Sequence, residues 1–296
     1  MGVRVIYKSA RLSLSDGLKT IGGFVMTDLK RRGLLAGLVT GGAAIGSTTM
    51  AQSIATPQTH TPQPPVTDLT VIEPARARVQ APVCKPVTDW PNLGRYRPAN
   101  LVSAALPASQ RRAVFMGDSL TDNWAALGYQ PEFFITNGFV GRGIGGQTTA
   151  QMLVRFWPDV VALKPKVVHI LAGTNDIAEN DGLYDPTATT GNISAMVSIA
   201  KSNEIKVVLA SVLPALEFPW RKGVGNPTDT ILKLNSWLKD YAASQRIGYV
   251  DYWPVLNNGQ NGFKSDLALD GVHPNRAGYL TMAPLAMAAI NKALKS

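Results

Sequence analysis

Three side chains, a serine and, about 150 residues on, an aspartate and a histidine three apart, have the chemistry of an acyl-transfer centre. The stretch Val114–Asn123, VFMGDSLTDN, ends a short apolar run on Gly117-Asp118-Ser119. A serine just past a strand and at the start of a helix keeps its own N–H unpaired and its Oγ exposed. Near the other end lies Asp270-Gly271-Val272-His273-Pro274. The Asp-x-x-His spacing can turn both side chains to one side of a tight loop. Asp270 then holds one ring nitrogen of His273 while the other faces Ser119, the order of nucleophile, base and orienting acid that serine hydrolysis needs. The chain has three histidines. His60 sits in a proline-rich stretch, and His169 lies inside the apolar run VVHIL, where a strand-interior histidine belongs to the core. Two further loops matter. Gly141-Arg142-Gly143-Ile144-Gly145-Gly146-Gln147 can bring backbone N–H groups close to a ligand. Gly173-Thr174-Asn175-Asp176 follows another apolar run.

The elements that must position these residues alternate. Ala113–Met116, Phe133–Val140, Val167–Ala172, Lys206–Leu213 and Ile247–Tyr252 are apolar runs of strand length. Continuous β-branched runs suit strands covered on both faces. Helical patterns lie between them. Thr148–Leu163 spaces Met152, Phe156 and Val160 by four, Thr187–Asn203 is amphipathic, and Thr228–Gln245 sets Ile231, Leu234 and Leu238 on one face. Arg276–Leu294 closes the chain behind Pro274. This alternation predicts a parallel α/β sheet with helices on both faces and a ligand site at the carboxyl ends of the strands.

Four blocks, GDSL, GRGIGGQTT, GTND and DGVHP, stand in this order, each at an expected strand end. Together they resemble the SGNH, or GDSL, hydrolase family over about residues 113–294, and DWPNLGRYRPAN (89–100) resembles the lead-in arm of its secreted members. The resemblance implies a three-layer α/β/α flavodoxin-like sandwich with a five-stranded parallel sheet. It implies Ser119 as nucleophile, His273 as base and then acid, and Asp270 as its orienter. The oxyanion hole would be the N–H groups of Ser119 and Gly146 and the side-chain amide of Asn175. Gly141 stands where related sequences often have Asn. Asp118 and Asp176 flank the site residues and are assigned to bracing loop backbone; Arg142 either braces the glycine loop or meets substrate. G-x-S-x-G is absent, which argues against a standard α/β-hydrolase.

Substrate contacts are expected from Trp124, five residues past Ser119, and from Phe218, Trp220 and Arg221 in the loop Pro214–Thr228. Aromatic faces there would stack on a sugar or line an acyl slot. The reading is a serine esterase acting on short-chain esters, with an O-acetylated glycan as substrate. A lysophospholipase-type acylhydrolase and a non-catalytic glycan-binding module are the alternatives. A dinucleotide reading of Gly141–Gly146 as G-x-G-x-x-G lacks both the following acid and a Walker lysine. Three histidines without ligand spacing and one cysteine, Cys84, give no metal site, and no cofactor is expected; Cys84 reads as a small apolar residue.

The net charge of +9 is uneven: residues 1–51 hold seven basic and two acidic side chains, the rest 22 and 18. With no basic cluster in the rest, no nucleic-acid partner is expected. In residues 26–51 the pair Arg31-Arg32 precedes a Gly/Ala-rich apolar run, the layout of a signal peptide resembling a twin-arginine one. That run is too short for a membrane span, and the mature protein is expected in the periplasm or outside the cell. Residues 1–25 read as a misassigned or disordered extension. Residues 52–84 read as a Pro/Thr-rich linker, 85–112 as the lead-in arm and 113–296 as the hydrolase domain.

Overall fold

The computed structural model describes residues 89–126 and 128–296. The expected extension, signal peptide and linker, with His60 and Cys84, lie outside the described residues. Five strands, β1 (Ala113–Gly117), β2 (Phe139–Gly143), β3 (Val167–Leu171), β4 (Lys206–Ala210) and β5 (Gly248–Val250), form one all-parallel sheet in the order β2-β1-β3-β4-β5. This is the flavodoxin-like order, with its switch point between β1 and β3. The helices among the described residues are α1 (Arg97–Ala105), α2 (Ser119–Ala125), α3 (Pro131–Asn137), α4 (Thr149–Asp159), α5 (Thr174–Ile177), α6 (Pro186–Ser202), α7 (Thr228–Gln245), α8 (Trp253–Leu256) and α9 (Arg276–Lys295).

Strand side chains alternate between faces, and the sheet accordingly buries two cores. Val114, Met116, Val168, Ile170, Val207 and Leu209 face α4, α6 and α7, where Met152, Phe156, Ile231, Leu234 and Leu238 meet them. Ala113, Phe115, Val167, Leu171, Val208 and Ala210 face the other way, against Trp124, Phe133, Phe134, Tyr279 and Ile290. Both faces are thus apolar, which is why the strands read as continuous rather than alternating runs.

Local chemistry sets the helix starts. Thr148 and Gln151 form a reciprocal capping box ahead of α4,. Asp185 accepts from the N–H groups of Thr187 and Ala188 before Pro186 opens α6, and Asn275 caps α9 through Gly278 N–H,. The expected strand Phe133–Val140 is corrected. Pro131 opens a helix there, and Gly138 ends it in the left-handed conformation (φ 63°), so only the residues from Phe139 onward pair with β1. A proline at the first helical position and a glycine past the last explain the division.

Candidate active site

The carboxyl ends of β1, β2 and β3 and the loop before α9 deliver the four blocks to one place. Asp118 caps α2, its Oδ1 accepting from Leu120 N–H at 2.9 Å, and Ser119 is the first helical residue. Ser119 Oγ lies 2.9 Å from His273 Nε2. His273 Nδ1 lies 2.8 Å from Asp270 Oδ2, while Asp270 Oδ1 accepts from His273 N–H at 2.8 Å and from Val272 N–H at 3.1 Å. One carboxylate therefore fixes both the loop backbone and the ring. Burial pushes the Asp270 pKa up, but the backbone and ring N–H of His273 and the N–H of Val272 outweigh it and hold the group below the usual carboxylate value. Hydrogen bonds to the charged form act in that direction.

The glycine loop passes beside the serine. A Cβ on Gly145 would lie 3.7 Å from Ser119 Cβ, and Ile144 N–H donates to Gly117 O at 3.1 Å. Gly146 has φ 79°, a conformation that side chains resist. Among the described hydrogen bonds the N–H groups of Ser119 and Gly146 have no acceptor. Asn175, 2 % exposed in α5, donates Nδ2–H to Gln147 O at 3.1 Å and accepts at Oδ1 from Asn180 Nδ2 at 2.7 Å. An amide NH₂ has two donors, so one remains to be directed elsewhere. Ser119, Gly146, Asn175, Asp270 and His273 are thus placed around one site.

The flanking residues divide. Asp176 holds the start of α4, accepting from Thr149 N–H at 2.9 Å and Thr149 Oγ1–H at 2.5 Å, and burial raises its pKa against those bonds. Asp118 is fully buried, and burial pushes its pKa up to about 7 against the Leu120 N–H. Arg142 is 4 % exposed and donates to Asn100 Oδ1 at 2.7 Å, Gly141 O at 2.7 Å and Ser103 Oγ at 2.8 Å. It braces the arm against the glycine loop and does not reach toward substrate. Gly141 has a local reason: a Cβ there would stand 2.7 Å from Ala125 Cβ, so the Asn of related sequences would collide with α2.

Two expected substrate residues are corrected. Trp124 is fully buried, donates Nε1–H to Gln130 Oε1 at 2.9 Å and stacks on Phe133 and Tyr279; helical geometry turns it into the core. Phe218 is also fully buried and belongs to the opposite core. Trp220 does reach the site: it is 39 % exposed and its ring centroid is 5.5 Å from that of His273. Arg221 is exposed and donates to Glu179 O at 2.5 Å, so it ties the Pro214–Thr228 loop to the turn after α5. His169 is the core residue expected, stacked on Phe115 at 4.5 Å, with Nε2 2.9 Å from Tyr252 OH; burial lowers its pKa to about 3.

Sequence reasoning missed two residues. Arg155 is fully buried and donates to Gly117 O at 2.8 Å, Arg142 O at 2.8 Å and Gln147 Oε1 at 2.5 Å, paired with Asp159 at 3.0 Å. It ties the ends of β1 and β2 together beneath the site. Asn180 is the other; in the sequence it is one more polar residue of a loop. Among the described residues no group of three or more His, Cys, Asp or Glu side chains is placed to hold a metal ion, and no described helix is long and apolar enough to cross a membrane.

A flavodoxin-type sheet with a Ser–His–Asp relay at its strand ends defines the class of serine ester hydrolases. The chain belongs to the GDSL-like lipase/acylhydrolase family, whose profile matches residues 115–280. It is similar to the crystal structure of a candidate acylhydrolase from Bacteroides fragilis NCTC 9343, at 45% identity and TM-score 0.67, covering 70% of this chain and 99% of that one. A GDSL-like lipase from Bacteroides thetaiotaomicron VPI-5482 follows at 44% identity and TM-score 0.66, over 69% and 98%. The lipoprotein YqeF of Bacillus subtilis (strain 168), itself uncharacterized, is 35% identical over 78 residues, 25% of this chain and 32% of that protein. The chain therefore spans about a third of this curated relative.

Proposed function

We propose that the chain hydrolyses short-chain carboxylic esters through Ser119, His273 and Asp270, and that its substrate is an O-acetylated glycan. The observation that carries the catalytic reading is the relay of 2.9 Å from Ser119 Oγ to His273 Nε2 and 2.8 Å from His273 Nδ1 to Asp270. Ser119 Oγ attacks the ester carbonyl carbon as His273 Nε2 takes its proton, and the carbonyl electrons move onto oxygen. Ser119 N–H, Gly146 N–H and the second Nδ2–H of Asn175 receive that oxyanion. Collapse breaks the bond to the leaving alkoxide, which takes the proton from His273. Water then attacks the acyl-serine with His273 again as base, releasing the carboxylic acid and restoring Ser119. Asp270 holds the imidazole tautomer and stabilises the imidazolium.

The half-exposed Trp220 beside His273 supports a sugar on the alcohol side, since an indole face stacks on an apolar ring face. A second reading, longer-chain or lysophospholipid esters, is favoured by Leu269, 59 % exposed in the loop that carries Asp270. Export as a periplasmic or secreted protein is part of the proposal. It rests on the signal-like layout of residues 26–51 and on the partial match to a protein named a lipoprotein; fractionation of expressing cells tests it. The catalytic test compares p-nitrophenyl acetate and octanoate turnover by the full chain and by Ser119→Ala, alongside acetate release from an O-acetylated glycan. Ser119-dependent turnover with acetate ahead of octanoate is the expected result. Octanoate ahead moves the reading to lipid esters, and turnover independent of Ser119 removes the assignment.

A further inference from the structure

We infer that Asn180, and behind it Trp220, fix which end of the Asn175 amide points at the reacting carbonyl, making Asn180 a positioning residue for the proposed oxyanion hole. The inference rests on the proposed role of Asn175 and goes beyond it.

An asparagine amide is nearly symmetric in shape, with an acceptor at one end and two donors at the other. Rotated by a half-turn, Asn175 would present an oxygen to the developing oxyanion and repel it. Two things choose the orientation: the Gln147 carbonyl, which can only accept and draws Asn175 Nδ2 at 3.1 Å,, and, on the other side, a chain of bonds that starts at an indole. Trp220 Nε1–H can only donate, and it lies 2.9 Å from Asn180. The Asn180 atom facing it must therefore be Oδ1. That turns Asn180 Nδ2 toward Asn175, at 2.7 Å, and toward the carbonyl of Gly146, at 3.2 Å, which can only accept. Asn175 must answer with Oδ1, so its Nδ2 is directed to the other side, toward Gln147 O and the site. One donor-only group, Trp220 Nε1–H, and two acceptor-only carbonyls, those of Gly146 and Gln147, fix two amides in series.

The backbone is built for this link. The chain reverses after the four-residue α5 through Glu179, a non-glycine residue at φ 56°, and Asn180 N–H returns to Asn175 O at 3.0 Å. Arg221 pins the carbonyl of Glu179, and Trp90 Nε1–H is pinned by Asp181 at 3.1 Å. Asn180 also bonds the Asn175 amide and the carbonyl of Gly146, the residue whose N–H is another proposed donor. Trp220, which faces His273, is therefore coupled to both.

The test is steady-state kinetics on p-nitrophenyl acetate with thermal unfolding of the same proteins. In Asn180→Asp the carboxylate still accepts from Trp220 but has nothing to donate. Asn175 then turns its NH₂ toward it, and kcat is expected to fall roughly 10²-fold or more, as for a lost oxyanion-hole donor. KM should change less than about threefold and Tm only slightly. Asn180→Ala, which leaves Asn175 held by the Gln147 carbonyl alone, should lose less kcat than Asn180→Asp. Trp220→Phe should lose part of kcat and add little to Asn180→Ala in the double variant, because both act through one chain of bonds. Wild-type kcat in Asn180→Asp, or losses of kcat that merely track Tm across the three variants, overturns the assignment while the Ser119 chemistry stands. No Ser119-dependent turnover in the wild type overturns both.

Discussion

At the scale of single residues, the site works by fixing directions. Asp270 spends one oxygen on backbone N–H groups and the other on the ring of His273, so the loop and the imidazole are set by the same carboxylate. Asp270→Asn keeps the size of the side chain but supplies an NH₂ that favours the wrong imidazole tautomer. We expect kcat to fall on the order of 10⁴-fold with little change in KM, by the tautomer argument for such triads. Single-turnover acylation checks this, and a loss confined to KM would speak against the orienting role. The same scale explains which residues could be read from the sequence. Ser119, His273 and Asp270 have few rivals of their type in their loops, and the spacing between Asp270 and His273 permits one short turn. Trp124 and Phe218 could not be read, because sequence gives proximity along the chain but not the direction of a side chain. Trp124 lies one and a half helical turns past Ser119 and points into the core. Asn180 carried no signal, since its role depends on a left-handed reversal at Glu179 that propensity does not show.

At the scale of elements, the carboxyl ends of β1 and β2 are tied together by a partner from outside the sheet. Arg155 supplies it from α4, donating to Gly117 O and to Arg142 O while Asp159 balances its charge. This was partly legible: Arg155 and Asp159 stand four apart and three past Met152 and Phe156, on the stripe expected to be buried, and an ion pair on such a stripe is rarely left in solvent. Replacing Arg155 by Leu leaves Asp159 buried without its cation and takes one donor from each of two carbonyls. The cost should be about 3–5 kcal/mol, read as a lower urea midpoint. A shift below about 1 kcal/mol would mean that water reaches these groups. The arm is held more lightly, through Tyr96 OH on Gly143 O and the Arg142 contacts with Asn100 and Ser103. Tyr96→Phe removes one such bond and should cost about 1 kcal/mol, measured in the same unfolding series.

At the scale of the whole molecule, two buried ionisable groups, Asp118 just past the end of β1 and His169 within β3, pull stability in opposite directions with pH. Native Asp118 keeps its proton up to about 7, because burial opposes its charge, against an ordinary value of 3.8. Between these values the native state binds more protons than the unfolded chain, so this contribution is present in full below about pH 4 and is lost as pH rises toward 7. Native His169 refuses its proton down to about 3, again through burial, against 6.5. Here the unfolded chain binds more protons, so the contribution is present above pH 6.5 and is lost as pH falls toward 3. Each slope is at most about 1.4 kcal/mol per pH unit, and the windows overlap between about pH 4 and 6.5, where the two nearly cancel. Removing one partner exposes the other. His169→Asn, which leaves Tyr252 OH a polar neighbour, should become steadily less stable relative to wild type as pH rises from 4.5 to 6.5. Asp118→Asn, which keeps an oxygen for Leu120 N–H, should show the opposite slope. Urea unfolding at four pH values across that window measures both, independently of catalysis. A variant whose stability runs parallel to wild type would show that its group titrates in the native sheet much as it does in the unfolded chain, and that side of the balance would then have to come from another buried group.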